Sequence, residues 1–362
     1  MPEPIAPASV STPGLSIVIP SWNGRALLER YLPTVAGAAA AFERACRQHA
    51  EIIVADDASD DGTCAWLATH FPSVRVGPGV GRAGFASTAN RGVRAARYAL
   101  VFLVNNDVAL EDSTLPPLAA HFGAAPGSPP VFVVASQVYD YDTGRLSGAG
   151  QLGDFRRGFI GIHRRYFVEP SDEQPSRAWL TLFATGGSSM FDRRTFLDLG
   201  GFDEAFAPFG WEDVELSLRA WKLGFEVHYE PRSAVWHQFS STIRPAYSRR
   251  YVRMIYERNR LLAHWYHLDS ASEKAAHGAF LGLKLAGSLF NGHWELWPAT
   301  VRALSRWNEI GDRRRTAADH IEVTLREVLN RVAGELRRPG ARPLGEETAP
   351  VRRWAESQTE LR

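Results

Sequence analysis

Cysteine is nearly absent: Cys46 and Cys64 are the only two in 362 residues. Two thiols cannot build a disulfide framework, so a reducing cytoplasmic setting is expected. No apolar run approaches the roughly 20 residues of a membrane-spanning helix, so no integral anchor is expected. Residues 1–13 lack both a basic start and an apolar stretch. They read as a disordered leader rich in Pro, Ala and Ser, not as a signal peptide. A G-x-x-x-x-G-K-[ST] loop and a G-x-S-x-G elbow are both missing, which argues against a P-loop enzyme and a serine hydrolase. The glycines at 77, 79, 81 and 84 do not form a G-x-G-x-x-G register with its acid, so a dinucleotide fold has little support.

What is present describes an ordinary globular chain, with 45% hydrophobic and 22% charged residues. Its length predicts one large domain with an appendage. The net charge of +1 conceals an asymmetry. Residues 1–240 carry 20 basic and 26 acidic side chains, whereas residues 241–362 carry 21 and 14. A basic rear half points either to solvated helix faces or to a surface that meets anionic groups such as phospholipid headgroups or a lipid-linked phosphate. No nucleic-acid partner is expected.

Short apolar runs at 15–20, 51–55, 74–76 and 100–104 alternate with helical patterns, each joined by a short polar loop. That alternation predicts a mostly parallel α/β sheet with right-handed crossovers and ligands at the carboxyl ends of its strands. Ser21, Asp57 and Asp107 all fall at such ends. After residue 130 the pattern changes: a strand at 131–135, a glycine-rich hairpin or loop region at 144–161, and Thr185-Gly186-Gly187-Ser188-Ser189, whose small residues admit backbone close to a ligand. Leu199-Gly200-Gly201-Phe202-Asp203 reads as a helix end and turn. From about residue 245 helices are expected over 251–266, 272–289, 298–310 and 316–336, followed by a tail.

Several positions carry chemistry with more than one reading. Asp57, between a strand and a turn, can cap that turn or accept the N3–H of a pyrimidine base. Asp107 ends a buried strand, where an unpaired charge is costly and a hard divalent cation would relieve it; a bond to the next turn is the plainer account. Asn105 stands where a DxD-like pair would have a second acid. Glu212 and Asp213 open an amphipathic helix, where the helix dipole alone favours carboxylates, yet beside Trp211 they also supply a base and a sugar-stacking ring. His237 ends a strand as a core histidine or a metal ligand. Arg82 lies in the glycine loop, close to a helix start suited to anions.

In order and spacing, Ser16-Ile17-Val18-Ile19-Pro20-Ser21-Trp22-Asn23, Ile53 to Thr63, Gly84-Phe85 through Asn90-Arg91-Gly92, Leu103-Val104-Asn105-Asn106-Asp107, Gly200 to Glu204 and Gly210-Trp211-Glu212-Asp213 resemble family 2 glycosyltransferases of the GT-A fold. Val235-Trp236-His237 is similar to the bacterial rhamnosyltransferase-like and galactofuranosyltransferase-like group. The resemblance covers about residues 15–260. It implies a GT-A catalytic domain over 14–245, with a nucleotide half at 14–130 and an acceptor half at 131–245. A helical C-terminal region would follow at 246–336 and a flexible tail at 337–362.

The same resemblance implies roles. Asp57 would read the base, with Pro20, Ser21, Asn23, Arg82, Asn90, Asn105 and Asn106 around the donor. Asp107 and His237 would hold Mg2+ or Mn2+. Asp213 would be the base, with Trp211, Glu212, Gly186 and Gly187 at the acceptor. The expected partners are a UDP- or dTDP-sugar donor and a glycan or lipid-linked acceptor of bacterial cell-surface polysaccharide assembly. The reaction would be an inverting transfer, and the location cytoplasmic or peripheral on the inner face of the membrane. The apolar stretch 278–290 would meet either an anionic membrane surface or another copy. A nucleotidyltransferase of similar fold and a silent sugar-nucleotide-binding subunit are the competing readings.

Overall fold

The structure, a computed structural model, describes residues 12–345 except positions 78, 80, 124–126, 172–176, 240–246 and 319, together with 350–352 and 354. The expected leader lies almost wholly outside these residues, as does the boundary drawn at 245. The chain begins with β1 (Thr12–Ser21), α1 (Arg25–Cys46), β2 (Ala50–Asp56), α2 (Thr63–His70), β3 (Arg75–Gly77), α3 (Phe85–Ala95) and β4 (Tyr98–Val104). These strands pair in parallel in the order β3-β2-β1-β4. β1 shows why its run is continuously apolar. Leu15, Ile17 and Ile19 enter one core against Leu28, Leu32, Val35 and Phe42 of α1, while Val18 enters the other beside Ala89 and Val93 of α3. A strand covered on both faces has no polar side to show.

Next come β5 (Val108–Leu110), α4 (Leu115–Ala119), β6 (Val131–Asp140), β7 (Leu146–Gly148), β8 (Gly150–Arg156), β9 (Phe159–Val168), β10 (Trp179–Leu180) and β11 (Ser188–Asp192). Then follow α5 (Arg193–Asp198), α6 (Glu212–Lys222) and β12 (Glu226–His237). The main sheet runs β10-β12-β6-β11-β4-β1-β2-β3, with β11 antiparallel to both of its neighbours. The glycine-rich stretch at 144–161 is two hairpin arms rather than a loop, because β8 and β9 pair antiparallel and β7 joins β6.

The rear of the chain holds α7 (Arg249–His267), α8 (Ala271–Asn291), α9 (Leu296–Leu304), α10 (Trp307–Ala318), α11 (Leu325–Ala333) and β13 (Ala341–Pro343). The single helix expected over 316–336 is divided. Thr324 and Glu327 form a capping box that starts α11 afresh. The segment expected as a flexible tail is docked where it is described. β13 pairs with β9, Leu146 N–H donates to Pro350 C=O at 2.9 Å, and Trp354 packs on Trp236 and Tyr141.

Candidate active site

A cavity of about 520 Å³ opens at the carboxyl ends of β1, β2 and β4, large enough for a nucleotide-sized ligand. Twelve of the fifteen residues singled out from sequence line it: Pro20, Ser21, Asp57, Arg82, Asn105, Asn106, Asp107, Gly186, Gly187, Glu212, Asp213 and His237.

The best-defined pair is Asp107 and His237, 130 positions apart, with Oδ1 and Nε2 at 3.0 Å. Strand register brings them together. The end of β12 runs antiparallel to β5 with His237 opposite Val108, and Gln238 N–H donates to Asp107 C=O at 3.0 Å. Phe239 closes on the His237 ring, with centroids 4.2 Å apart. Adjacent ligands of a six-coordinate ion at about 2.1 Å lie about 3 Å apart, so the pair fits two neighbouring positions of Mg2+ or Mn2+. Among the described residues no group of three or more His, Cys, Asp or Glu is arranged for a metal. The remaining positions would therefore fall to water and substrate phosphate, as such ions commonly accept.

Asn106 and Asn105 buttress this corner. Asn106 Nδ2 donates to Ser21 Oγ at 3.0 Å, tying β4 to β1. Asn105 N–H donates to Gly187 C=O at 3.0 Å. A Cβ on Gly187 would come within 2.5 Å of the Asn105 amide, so only glycine admits this approach.

Glu212 and Asp213 line the same cavity from the start of α6. Asp213 Oδ1 accepts from Val214 N–H at 2.8 Å, and the Gly186 N–H also favours its charge. Glu212 is 8% exposed, and its Oε2 has no hydrogen-bond partner among the described residues. Burial pushes both carboxyl groups upward, and the neighbouring Asp213 charge raises Glu212 further. With fewer donors around it, Glu212 is the better place for a shared proton, which leaves Asp213 as the carboxylate.

Trp211 departs from expectation. Its φ of +73° turns it into the interior, 2% exposed, with its ring against Tyr256 and His264 rather than on the cavity surface. A left-handed backbone at a bulky residue is strained and must be held by its surroundings. Helix α7 holds the loop that precedes Trp211. Asn259 Nδ2 reaches the carbonyls of Phe206, Phe209 and Gly210 at 2.6, 2.9 and 2.8 Å, and Arg258 grips those of Ala205 and Ala207.

Asp57 also differs from the expected base reader. Oδ1 accepts from Thr88 Oγ1 at 2.7 Å, Ala83 N–H at 3.0 Å and Arg91 at 3.1 Å, and Oδ2 accepts from Gly84 N–H at 2.9 Å. Burial would raise this carboxyl, but these donors outweigh it and hold Asp57 below the usual range. The side chain is engaged in shaping the glycine loop, so the capping reading describes it. Arg82, in that loop, lies with its guanidinium 3.6 Å over the Trp22 ring and donates to Tyr247 Oη at 2.9 Å.

Asn23 and Asn90 do not reach the cavity. Asn23 exchanges two bonds with Asp60, at 2.8 and 2.9 Å, bridging the loops after β1 and β2. Asn90 is buried and exchanges two with the backbone of Phe202, at 2.8 and 2.9 Å. An asparagine that satisfies a main-chain N–H and C=O together acts as a strut. Sequence reasoning missed Trp22, Phe85, Phe209, Tyr247, Val252 and Tyr256, which also line the cavity. The signal for the last two was the tyrosine-rich start of α7, adjoining the cavity only in three dimensions.

The sequence model described as Glycosyltransferase like family 2 matches residues 13–256. N-acetylgalactosaminyltransferase 6 of Drosophila melanogaster is 28% identical over 196 residues, 52% of this chain and 29% of that protein. Validoxylamine A glucosyltransferase of Streptomyces hygroscopicus subsp. jinggangensis (strain 5008) is 29% identical over 241 residues, 59% of this chain and 52% of that one. The chain thus spans about three tenths to a half of the length of these curated relatives. The crystal structure of GalNAc-T7 with UDP, GalNAc and Mn2+ superposes with a TM-score of 0.61 at 14% identity, covering 91% of this chain and 58% of that one, a likeness of fold.

Proposed function

Because the chain belongs to the Glycosyltransferase like family 2, we propose that it is an inverting glycosyltransferase. It would move a sugar from a nucleoside-diphosphate donor, UDP- or dTDP-linked, to a hydroxyl of a glycan or lipid-linked acceptor in bacterial cell-surface polysaccharide assembly. The observation that carries this reading is a single cavity lined by two chemically distinct pairs, Asp107 with His237 and Glu212 with Asp213. The Val235-Trp236-His237 ending of β12 supports the rhamnosyltransferase-like and galactofuranosyltransferase-like group.

Transfer breaks the bond between the anomeric carbon and the diphosphate while the acceptor oxygen bonds to the opposite face. Negative charge grows on the leaving phosphate, and a divalent cation bound by Asp107 and His237 would neutralise it. Asp213 takes the acceptor proton as its oxygen attacks, which is worth about 10²–10⁴-fold. Burial keeps that carboxylate poorly solvated and hence basic. Glu212, holding the shared proton, donates a hydrogen bond to an acceptor or donor hydroxyl. Thr88, Gly84 and Pro20 shape the nucleotide end, and Asp57 keeps the glycine loop in register.

The test is a thermal-shift screen of UDP-, dTDP- and GDP-sugars with Mn2+ or with chelator, followed by donor hydrolysis. A cation-dependent rise for one nucleotide class, with slow donor hydrolysis, is expected. Binding with no turnover would favour a silent binding subunit. Response to free nucleoside triphosphates but not to sugar nucleotides would favour nucleotidyl transfer.

A further inference from the structure

Of the fifteen large hydrophobic side chains exposed among the described residues, eight lie between 280 and 304, on α8, α9 and the turn joining them, and a ninth, Trp307, opens α10. Phe290 is 91% exposed, Leu283 67%, Val301 64% and Trp294 52%. Single exposed apolar residues are unremarkable, but a contiguous set of this kind marks a surface that meets something. The hairpin is anchored to the body. His277 Nδ1 lies 2.8 Å from Gly158 C=O, and Trp297 Nε1 donates to Ser288 Oγ at 3.0 Å, holding α9 on α8.

Charge decides the occupant. Every exposed charged side chain from 249 to 304 is basic: Arg249, Arg250, Arg253, Lys274, Lys284 and Arg302. Of the four acids in the same stretch, Glu273 and Glu295 are buried and Glu257 and Asp269 half-buried. Glu257 pairs with Lys284 and Glu295 with Arg253, which leaves Arg249, Arg250, Lys274 and Arg302 as the exposed surplus. A second copy docking by a two-fold axis would set this basic rim against itself, which opposes association. Anionic headgroups complement it, while Trp and Phe side chains are suited to the layer beneath them. No described helix is long and apolar enough to cross a membrane, so the contact is with the surface.

We propose that the α8–α9 hairpin docks the protein on an anionic lipid bilayer. The hairpin adjoins the cavity: Met254 and Ile255 of α7 pack with Ala299 of α9 and Phe209, while Phe209 itself lines the cavity with Val252 and Tyr256. A bilayer on this face stands beside the acceptor end. That consequence rests on the glycosyl-transfer reading; the docking itself does not.

The experiment is flotation of the full chain, without donor or acceptor, on vesicles of phosphatidylcholine and phosphatidylglycerol at roughly two to one, and on phosphatidylcholine alone. Binding to the anionic vesicles, weakened by salt, is expected. Phe290→Asp and Trp294→Asp should each lower the partition coefficient by about tenfold or more without changing the melting temperature. No flotation at low salt, or flotation unchanged in both variants, overturns the proposal. So does a dimer in light scattering that Phe290→Asp dissociates while vesicles stay unbound. Flotation with no sugar transfer would refute the enzymatic reading and leave the docking intact.

Discussion

Replacing Asp57 by Asn separates a carboxylate that holds a loop from one that reads a base. Asp57 is 4% exposed and accepts from Ala83, Gly84, Thr88 and Arg91. An amide keeps one acceptor oxygen and turns an N–H2 group toward donors on the other side. Leaving one buried donor unsatisfied costs about 1–3 kcal/mol, and losing the charge that faces Arg91 adds about 1 kcal/mol. The expected loss is therefore about 2–4 kcal/mol, or about 3–5 °C in melting temperature for a chain of this size. The assay is thermal unfolding of the ligand-free protein, followed by circular dichroism.

Acid should erase the difference. The folded pKa of Asp57 is depressed, so its contribution is complete above the unfolded value of about 3.9 and is lost as pH falls through the folded value. The gap between wild type and variant should be constant near neutrality and close only below about pH 4. If the ligand-free melting temperature is unchanged while nucleotide affinity falls, the reasoning is refuted and Asp57 is a base reader.

His237→Ala and Asp107→Asn should each abolish the Mn2+-dependent part of donor binding in calorimetry and lower kcat by at least about 10²-fold; cation-dependent binding that survives both changes would remove the pair from the metal site. Asp213→Asn should lower kcat by about 10²–10⁴-fold with donor affinity kept, and the melting temperature should hold or rise, because a poorly solvated buried charge is gone. Since burial raises the Asp213 carboxyl, wild-type kcat/KM should climb with pH through a midpoint above about 3.9; a plateau already reached at pH 4 would contradict the assignment. Asn259→Ala frees the carbonyls of Phe206, Phe209 and Gly210. It should cost about 2–4 kcal/mol in urea unfolding and speed proteolysis at 205–210; unaltered stability would mean that the loop holds itself.

The order of short apolar runs and intervening helices, and the polar residues that end each run, are written into the chain. A strand buried on both faces must be apolar throughout, and a helix packed on it must repeat apolar residues about every 3.6 positions. Both patterns are local, so the parallel nucleotide half, the family and the carboxylates Asp107, Glu212 and Asp213 were legible. Which of these side chains face one another was not. His237 reaches Asp107 only because β5 pairs with β12 in one register. Asn23 and Asn90 sit in motifs that resemble site residues, yet three-dimensional neighbours made them struts. A left-handed φ turned Trp211 inward, and α7 entered the cavity wall from beyond the recognisable motifs. The docking of β13 and of Trp354 needed the exposed edge of β9 and the Trp236 face, neither visible in the tail's own composition. Periodicity is a property of neighbours along the chain; convergence depends on strand register and helix placement, which long-range packing alone decides.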